Sequence, residues 1–249
     1  MRLCRAFAGL LFATVAGVQA AQADDRCRAE ITAVAEAADA LSGVSEACRQ
    51  HPYYHYLAGK AHIRAKRYDA ARAAFDAGLA APGPFEKALK LAVADIALHQ
   101  RDYRRAASAY RAVTAEFPDW HVGFEYLGFA LFALNDLDEA RMALERSIRL
   151  QESADAYRTL TLVYYSQGEY EKSIDALNRG FSLNENLLDD RDFMVAGVRS
   201  YTELGRFDIA RGLLAAMLKQ NRALKQDPEF LRAGHYLRKK MVEKGVLKE

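Results

Sequence analysis

Two cysteines near the start of the sequence could form a covalent cross-link. The 249-residue chain contains three cysteines. Cys4 lies in the first 23 residues, which have the pattern of a cleaved export signal, and their removal would leave Cys27 and Cys48 as a pair. An even number of cysteines in an exported chain is typical of a structural disulfide, because oxidising compartments favour that bond. Closing the loop between the two residues would stabilise the fold by roughly 3 kcal/mol. We therefore predict a Cys27–Cys48 disulfide.

The same region contains a candidate metal pair. His51 and His55 have the i, i+4 spacing that would place two imidazoles on one face of a helix. Pro52 is expected to begin a helix, however, and this would leave His51 outside it. We therefore predict that both histidines are packed or solvated and that they bind no metal.

Catalytic motifs are absent from the rest of the sequence. There is no phosphate-binding loop, no Gly-x-Ser-x-Gly elbow, no His-Glu-x-x-His helix and no cluster of Cys and His ligands. The acidic segment Asp189–Asp192 could supply catalytic carboxylates, but Arg191 lies within it at an expected helix start, which indicates capping and solvation. The sequence thus predicts neither an enzyme nor a cofactor.

The first 23 residues have the pattern of an export signal. Arg2 and Arg5 precede an apolar run at residues 6–16, and Ala21-Gln22-Ala23 ends the segment with small residues. The apolar run is shorter than the ~20 residues that cross a bilayer, so a cleaved signal peptide is a better interpretation than a transmembrane anchor. We predict a periplasmic or secreted protein with no stable membrane insertion after cleavage.

The charge balance disfavours polyanionic partners. The chain has 35 Lys+Arg and 33 Asp+Glu, and the leader holds two basic residues and no acid, so 33 of each sign remain after its removal. A neutral chain lacks the positive potential that attracts phosphate backbones and anionic membranes. Its 51% of hydrophobic residues can bury a core. We expect a globular protein that does not bind nucleic acid.

A repeated helical pattern occupies most of the chain. From His51 onward the apolar residues recur with helical spacing, and no segment alternates as a strand does. The segments align with a period near 34 residues. The predicted copies are 52–85, 87–120, 121–154, 154–187 and 191–224.

The third copy shows the pattern most clearly. It contains Phe124-Glu125-Tyr126-Leu127-Gly128-Phe129-Ala130-Leu131, then Asn135-Asp136-Leu137-Asp138-Glu139-Ala140, and then Leu144 and Ser147. This spacing resembles the tetratricopeptide repeat family, and the resemblance extends over about residues 52–224. It implies an all-α solenoid, a right-handed superhelix of about five helix-turn-helix repeats, whose first helices line a concave groove. It also implies a scaffold that binds peptides or other proteins.

Each copy has small residues where its two helices are expected to approach closely. The second-helix positions are Ala71, Ala106, Ala140, Ser173 and Ala210; the first-helix positions are Gly59, Ala94 and Gly128, followed by Thr161 and Val198 in the atypical last copies. Larger residues should fill the seam between hairpins: Tyr68, Tyr103, Tyr170 and Phe207 at the turns, and Phe75, Tyr110, Leu144, Leu177 and Leu214 on the second helices. We expect Asn135, Gly168 and Gly205 to adopt the left-handed conformation that ends a first helix.

Four segments follow from these patterns. They are a cleaved signal peptide at 1–23, a disulfide-bonded helical cap at 24–51, the repeat solenoid at 52–224 and a capping helix within 225–249. The first cap should be a helix from Asp24 to about Leu41, and the last helix should run from Pro228 to Lys244 with apolar residues at Phe230, Leu231, Leu237 and Met241. From Lys219 onward nine Lys/Arg face four acids, which leaves a weak anionic contact as an alternative to a purely capping role.

The partner-binding candidates are the first-helix positions that the family turns toward its groove. They are Tyr53, Tyr56, Lys60, Arg64, Asp95, His99, Glu125, Phe129, Phe132, Arg158, Leu162, Tyr165 and Arg199. Aromatic residues among charges of both signs suit an extended or helical peptide, and packing against a neighbour is the alternative at each position. The family's Lys and Asn carboxylate clamp is replaced here by Tyr, Leu, Asp and Phe, so a chaperone tail is not expected.

Two function classes remain open at this stage. One is an exported scaffold or adaptor that binds a protein or peptide in the groove during cell-envelope assembly. The other is a carbohydrate- or cell-wall-associated assembly factor that binds polysaccharide, because aromatic grooves also suit sugars. In either class, Tyr56, Phe129 and Tyr165 are predicted to line the groove. The seam residues Tyr68, Tyr103 and Tyr170 are predicted to lie on a different surface, between hairpins.

Overall fold

The computed structural model describes residues 22–34, 41–80 and 83–248, and these ranges contain helices and no strand. The predicted signal peptide lies outside the described residues except for its last two positions. The α-helices are α1 (residues 22–34), α2 (Pro52–Arg64), α3 (Tyr68–Leu79), α4 (Glu86–His99), α5 (Tyr103–Glu116), α6 (His121–Ala133), α7 (Leu137–Leu150), α8 (Ala154–Ser166), α9 (Tyr170–Leu183), α10 (Arg191–Glu203), α11 (Phe207–Gln220) and α12 (Pro228–Glu243). None of the described helices combines the length and apolarity needed to span a bilayer.

Local side-chain bonds and backbone angles explain where the helices begin and end. Asp102, Ser153, Asp190 and Asp227 each accept a hydrogen bond from a backbone N–H in the first turn of the following helix. The expected left-handed residues Asn135, Gly168 and Gly205 have φ of 63°, 75° and 70°. In the first two copies the same position holds Lys66 and Arg101, with φ of 58° and 60°. The turn geometry is thus repeated even where glycine is absent.

The chain forms two compact units, one up to Arg101 and one from Asp102 onward. In the first unit, Phe75 of α3 is fully buried in a cluster with Ile63 of α2 and with Leu89 and Ile96 of α4. A Cβ built on Gly59 would lie 2.1 Å from the Phe75 ring. The missing side chain at Gly59 therefore lets that ring pack directly on the α2 backbone.

A disulfide holds the amino-terminal cap in place. Cys27 of α1 is bonded to Cys48 in the short 3-10 turn Glu46–Cys48, as the cysteine count predicts. Ile31 and Val44 are buried beside the bond. The helix expected from Asp24 to about Leu41 is described up to residue 34, and Leu41–Gly43 form a 3-10 turn; residues 35–40, which separate the two, lie outside the described residues.

His51 is a buried capping residue at the start of α2. Its Nδ1 accepts a hydrogen bond of 3.0 Å from the Tyr53 backbone N–H, and its Nε2 lies 2.8 Å from Asp24 Oδ1. Pro52 is the first residue of the helix, as expected from its fixed φ. His51 is thus outside α2, and both of its ring nitrogens are used within the cap.

In the second unit, α6 packs on α7, α8 on α9, and α10 on α11, while α12 packs on α10 and α11. The small second-helix residues Ala71, Ala106, Ala140, Ser173 and Ala210 are all fully buried across the two units, which confirms the repeat register. Gly128 faces Leu144, whose Cγ would lie 2.5 Å from an added Cβ. The glycines therefore oppose Phe75 and Leu144, one turn beyond the small residues that the sequence suggested.

Buried hydroxyl groups replace the glycine contact in the fourth copy. Ser173 Oγ donates a 3.0 Å hydrogen bond to the Thr161 backbone carbonyl, and Ser200 Oγ of α10 lies 3.0 Å from Ser173 Oγ. All three residues are inaccessible to solvent. Because each hydroxyl has a hydrogen-bond partner, burial leaves none of these groups unpaired.

The seam prediction is correct for four of the five second-helix residues, and it overstates the burial of Leu214 and of the turn residues. Phe75, Tyr110, Leu144 and Leu177 are fully or almost fully buried, whereas Tyr68, Tyr103, Tyr170, Phe207 and Leu214 are only half-buried. Each turn residue is the first residue of a second helix, and Tyr68 and Phe207 still pack against the core clusters of their units. In α12, Phe230, Ala233, Leu237 and Met241 are buried, but the predicted apolar contact Leu231 is 42% exposed.

Candidate partner-binding surface

In the second unit, several of the predicted binding residues are hydrogen-bonded to residues at or near the next first helix. Ser153, which caps α8, donates a 2.5 Å hydrogen bond to Glu125 of α6. Arg158 of α8 donates to Asp190, the cap of α10, at 3.0 Å. Arg199 of α10 donates to the Tyr165 hydroxyl at 3.3 Å and pairs with Glu229 of α12 at 3.4 Å. We call Glu125, Arg158, Tyr165, Arg199 and Glu229 the polar row.

Burial changes the protonation behaviour of one end of this row. Desolvation raises the pKa of the Glu125 carboxyl above its ordinary value, and Asp155 adds to the rise. The hydrogen bond from Ser153 and the charge of Arg158 act in the opposite direction. Glu125 is therefore a carboxyl group whose charge is disfavoured by its surroundings, although a donor is held against it.

Apolar side chains accompany the polar row on the same helices. Phe129 and Phe132 of α6 and Leu162 of α8 are each half-buried, so part of every side chain remains accessible. The second unit thus presents fixed charges of both signs together with partly open aromatic and aliphatic groups. This combination can contact an extended chain through both backbone and side-chain groups.

The first unit agrees less well with the sequence-based site. Asp95 is wrong as a solvent-facing contact, because it is only 3% exposed and its Oδ2 lies 3.7 Å from Lys60 Nζ. Tyr53 stacks on Phe85 with ring centroids 5.1 Å apart, and Tyr56 packs 6.4 Å from the Phe75 ring. These groups join α2 to its neighbours, which removes much of their surface from a partner.

The two remaining first-unit candidates are exposed. Arg64 lies at the end of α2, and His99 lies at the end of α4. His99 Nδ1 is 2.9 Å from the Asp95 backbone carbonyl, so its ring is tied to its own helix.

Burial raises the pKa of the Tyr56 phenol, and the nearby Asp95 and Tyr53 raise it further, which keeps that hydroxyl protonated.

A cavity at the carboxyl-terminal end of the polar row was missed by sequence reasoning. It has a volume of about 540 Å³, and it is lined by Tyr165, Tyr170, Arg199, Glu203, Arg232, His235, Tyr236 and Lys239. The assignment of Tyr165 and Tyr170 to separate surfaces is wrong, because their ring centroids are 6.2 Å apart. Half of the lining belongs to α12, where basic residues were the sequence signal, and Tyr165 and Arg199 of the other half were already predicted partner-binding residues.

The family model for the tetratricopeptide repeat matches residues 28–87, 56–121 and 127–180, which together span more than half of the chain. The chain belongs to the tetratricopeptide repeat family. Members of this family generally serve as non-enzymatic scaffolds for protein interaction. Protein binding is therefore the general role that the family indicates. A search of curated proteins found no match.

Solved structures of other tetratricopeptide repeat proteins share the fold. The thermophilic protein TTC0263 of Thermus thermophilus is 22% identical with a TM-score of 0.55, over 75% of this chain and 98% of that one. MamA from Desulfovibrio magneticus RS-1 is 16% identical with a TM-score of 0.56, over 71% and 97% of the two chains. A chain of the APC/C hetero-tetramer Cut9–Hcn1 is 15% identical with a TM-score of 0.60, over 88% and 43%. The all-α solenoid prediction is thus confirmed.

The described residues contain no clustered metal ligands. Within residues 22–34, 41–80 and 83–248, no group of three or more His, Cys, Asp or Glu side chains could hold a metal ion. His55 is partly buried, which lowers the pKa of its imidazole, and its ring packs edge-on against Tyr54 at 5.7 Å. The polar row and its neighbouring cavity bring charged and aromatic groups together.

Proposed function

We propose that this protein is an exported scaffold that binds a segment of a partner protein along the first helices of its second unit. The observation that carries the proposal is the polar row with the half-buried side chains of Phe129, Phe132 and Leu162 on the same helices. Charged groups that are already held by neighbours lose little side-chain entropy when a partner binds. Partly open aromatic groups beside them can act as anchors.

The exported location is supported by two independent features. The leader pattern at residues 1–23 directs a chain across a membrane, and the Cys27–Cys48 bond suits an oxidising compartment. This combination supports a periplasmic or secreted location, and we propose a role in the cell envelope. Amino-terminal sequencing of the protein recovered from cells should give Asp24 as the first residue, and a chain that still begins with Met1 would contradict export by this signal.

Site-specific crosslinking tests the binding surface. A photo-reactive phenylalanine analogue at Phe129 of α6 should give a covalent adduct with one protein in cells that express the chain. The same analogue at Met142 of α7, which is 54% exposed, is the matched control. An adduct of equal yield at Met142, or none at Phe129, would contradict a partner bound along the first helices.

A polysaccharide is the second candidate ligand. Three tyrosine rings, from Tyr165, Tyr170 and Tyr236, line one cavity with Glu203, and such groups can stack on and hydrogen-bond to sugars. The charges of the polar row favour a protein, because a peptide can offer charged groups to them and a neutral sugar cannot. Retention of the purified chain by envelope polysaccharide, with no protein adduct at Phe129, would favour the sugar.

A further inference from the structure

The cavity beside α12 has two walls of different origin. Tyr165, Tyr170, Arg199 and Glu203 come from the last two repeats, whereas Arg232, His235, Tyr236 and Lys239 come from α12. Its volume of about 540 Å³ lies within the range of small-ligand sites and could hold two or three side chains of a peptide. The helix that closes the last repeat therefore also supplies half of a concave surface.

The charges around the cavity are unequal. Its lining holds the cations Arg199, Arg232 and Lys239 but only one acid, Glu203. That acid is already engaged, because it accepts a hydrogen bond from the Tyr236 hydroxyl and one of 3.1 Å from Lys240 Nζ. The lining itself consequently holds more cations than acids, and the carboxylates that pair with these cations, Glu229 and Glu243, do not line the cavity.

Two cations of the lining, Arg232 and Lys239, are exposed and form only solvent-exposed ion pairs, Arg232 with Glu229 and Lys239 with Glu243. Lys239 Nζ lies 3.7 Å from Glu243, and its side chain is 73% exposed. Arg232 is 61% exposed and shares Glu229 with Arg199. Ion pairs this open contribute little, so a carboxylate from outside can compete for these groups.

The deeper part of the cavity offers donors beside aromatic rings. Arg199 donates to the Tyr165 hydroxyl oxygen at 3.3 Å, which leaves the Tyr165 O–H able to donate to another acceptor. The Nε–H of Arg199 has no acceptor among the described residues. The Tyr170 ring lies 6.2 Å from that of Tyr165 and extends the apolar wall.

We propose that this cavity binds carboxylate groups of an acidic, aromatic-containing peptide segment of the partner. Arg232 and Lys239 attract the carboxylates at the opening, and the tyrosine rings receive the apolar part of the segment. This inference rests on the proposed function and names the chemistry of the partner at one end of the polar row. Nucleic acid fits less well, because three cations around one cavity do not form the extended positive track that a phosphate backbone requires.

The probe for this inference is a short fluorescein-labelled peptide of Glu, Asp and Tyr residues with an amidated end, measured by fluorescence anisotropy. A second peptide replaces Glu with Gln and Asp with Asn, and a third keeps the neutral sequence but has a free terminal carboxylate. The acidic peptide should bind about tenfold more tightly than the neutral amide, because its carboxylates would accept charge-assisted hydrogen bonds. Preferential binding of the third peptide would identify the terminal carboxylate as the bound group; preference for the first would identify side-chain carboxylates.

Charge reversal on α12 provides a matched pair of variants. Arg232→Glu with Lys239→Glu should weaken binding of the preferred peptide by about tenfold or more, since it places acids at the opening. Arg238→Glu with Lys244→Glu makes the same change in charge at exposed positions of the carboxyl-terminal segment that do not line the cavity, and it should bind almost as the natural chain does. Circular dichroism melting verifies that both variants are folded.

The outcomes separate this inference from the proposed function. Equal affinity for all three peptides, or equal loss in both charge-reversal variants, would overturn the carboxylate site. If a protein adduct still forms at Phe129 in that case, the scaffold proposal stands without the acidic segment. Binding of the acidic peptide that depends on Arg232 and Lys239, without any adduct at Phe129, would support the cavity and contradict the wider surface.

Discussion

Replacing Gly128 by alanine should destabilise the third hairpin, although alanine favours helices. A Cβ at this position would lie 2.5 Å from Leu144 Cγ and 2.8 Å from its Cδ2, where ordinary carbon contacts are about 3.5–4.0 Å. Leu144 is fully buried and has to move by about 1 Å to restore contact, which costs roughly 1–3 kcal/mol. Higher helix propensity returns about 1 kcal/mol of this.

Gly212 of α11 is the matched control for this change. It lies in the same unit, and a Cβ there would meet no atom within 4 Å. Gly212→Ala should therefore raise the free energy of unfolding by about 0.5–1 kcal/mol through helix propensity alone. The difference between the two variants, measured by urea denaturation, isolates the overpacking term of about 1–3 kcal/mol.

A double variant tests the cause of the loss. Leu144→Ala removes the side chain that an added methyl would strike and should itself cost about 2–5 kcal/mol. In that background Gly128→Ala should become stabilising, because the methyl group enters the space that Leu144 vacated. If Gly128→Ala stabilises the natural chain as much as Gly212→Ala does, the two helices are not in close contact there and the repeat register is wrong.

Three further perturbations test separate parts of the structure. Burial raises the pKa of Glu125 from its ordinary value of 4.5, so the folded state binds more protons than the unfolded state does. The free energy of unfolding should therefore fall as pH rises through the interval between 4.5 and the raised value. Glu125→Gln should flatten that dependence in urea titrations at successive pH values. Lys66→Gly should raise the free energy of unfolding by up to about 1 kcal/mol, since φ at Lys66 is 58°, whereas Arg67→Gly at φ −91° should not. Replacing Cys27 and Cys48 by serine should cost roughly 3 kcal/mol, and thiol labelling of the denatured, unreduced mature protein should find no free thiol.

Each of these has an outcome that would count against its premise. An unchanged pH slope in Glu125→Gln would mean that the carboxyl is as solvated as in an unfolded chain. Equal effects of Lys66→Gly and Arg67→Gly would remove the left-handed turn as their cause. Two labelled thiols in the mature protein would contradict the disulfide.

The sequence predicted the parts of the fold that depend on local spacing. Residues such as Ala140 and Gly128 mark the closest approach of two helices, and only small side chains fit there, so their period can be counted from the sequence. The left-handed turn residue Asn135 was likewise visible from its type. Lys66 and Arg101 were not, because neither residue type favours a positive φ.

The features that the sequence did not predict depend on how helices from different repeats meet. Asp95 has the spacing of a groove residue, but it is buried and its carboxylate lies beside Lys60 of α2. Tyr165 and Tyr170 stand on opposite sides of a turn in the repeat pattern, yet their rings share a cavity. The part played by Tyr236 required the placement of α12, a helix outside the repeat period.

The central claim is that the first helices of the second unit form the working surface, and partner affinity measured together with melting tests it most directly. With the partner identified by crosslinking, Phe129→Ala and Leu162→Ala should weaken binding by ~2 kcal/mol while melting stays near that of the natural chain. Ile209→Ala, at a position 47% exposed on α11, should alter neither. Tyr110→Ala should instead unfold the unit early, because a fully buried ring costs about 3–5 kcal/mol to remove. If Phe129→Ala and Leu162→Ala melt as early as Tyr110→Ala, or retain full partner affinity, the account is contradicted.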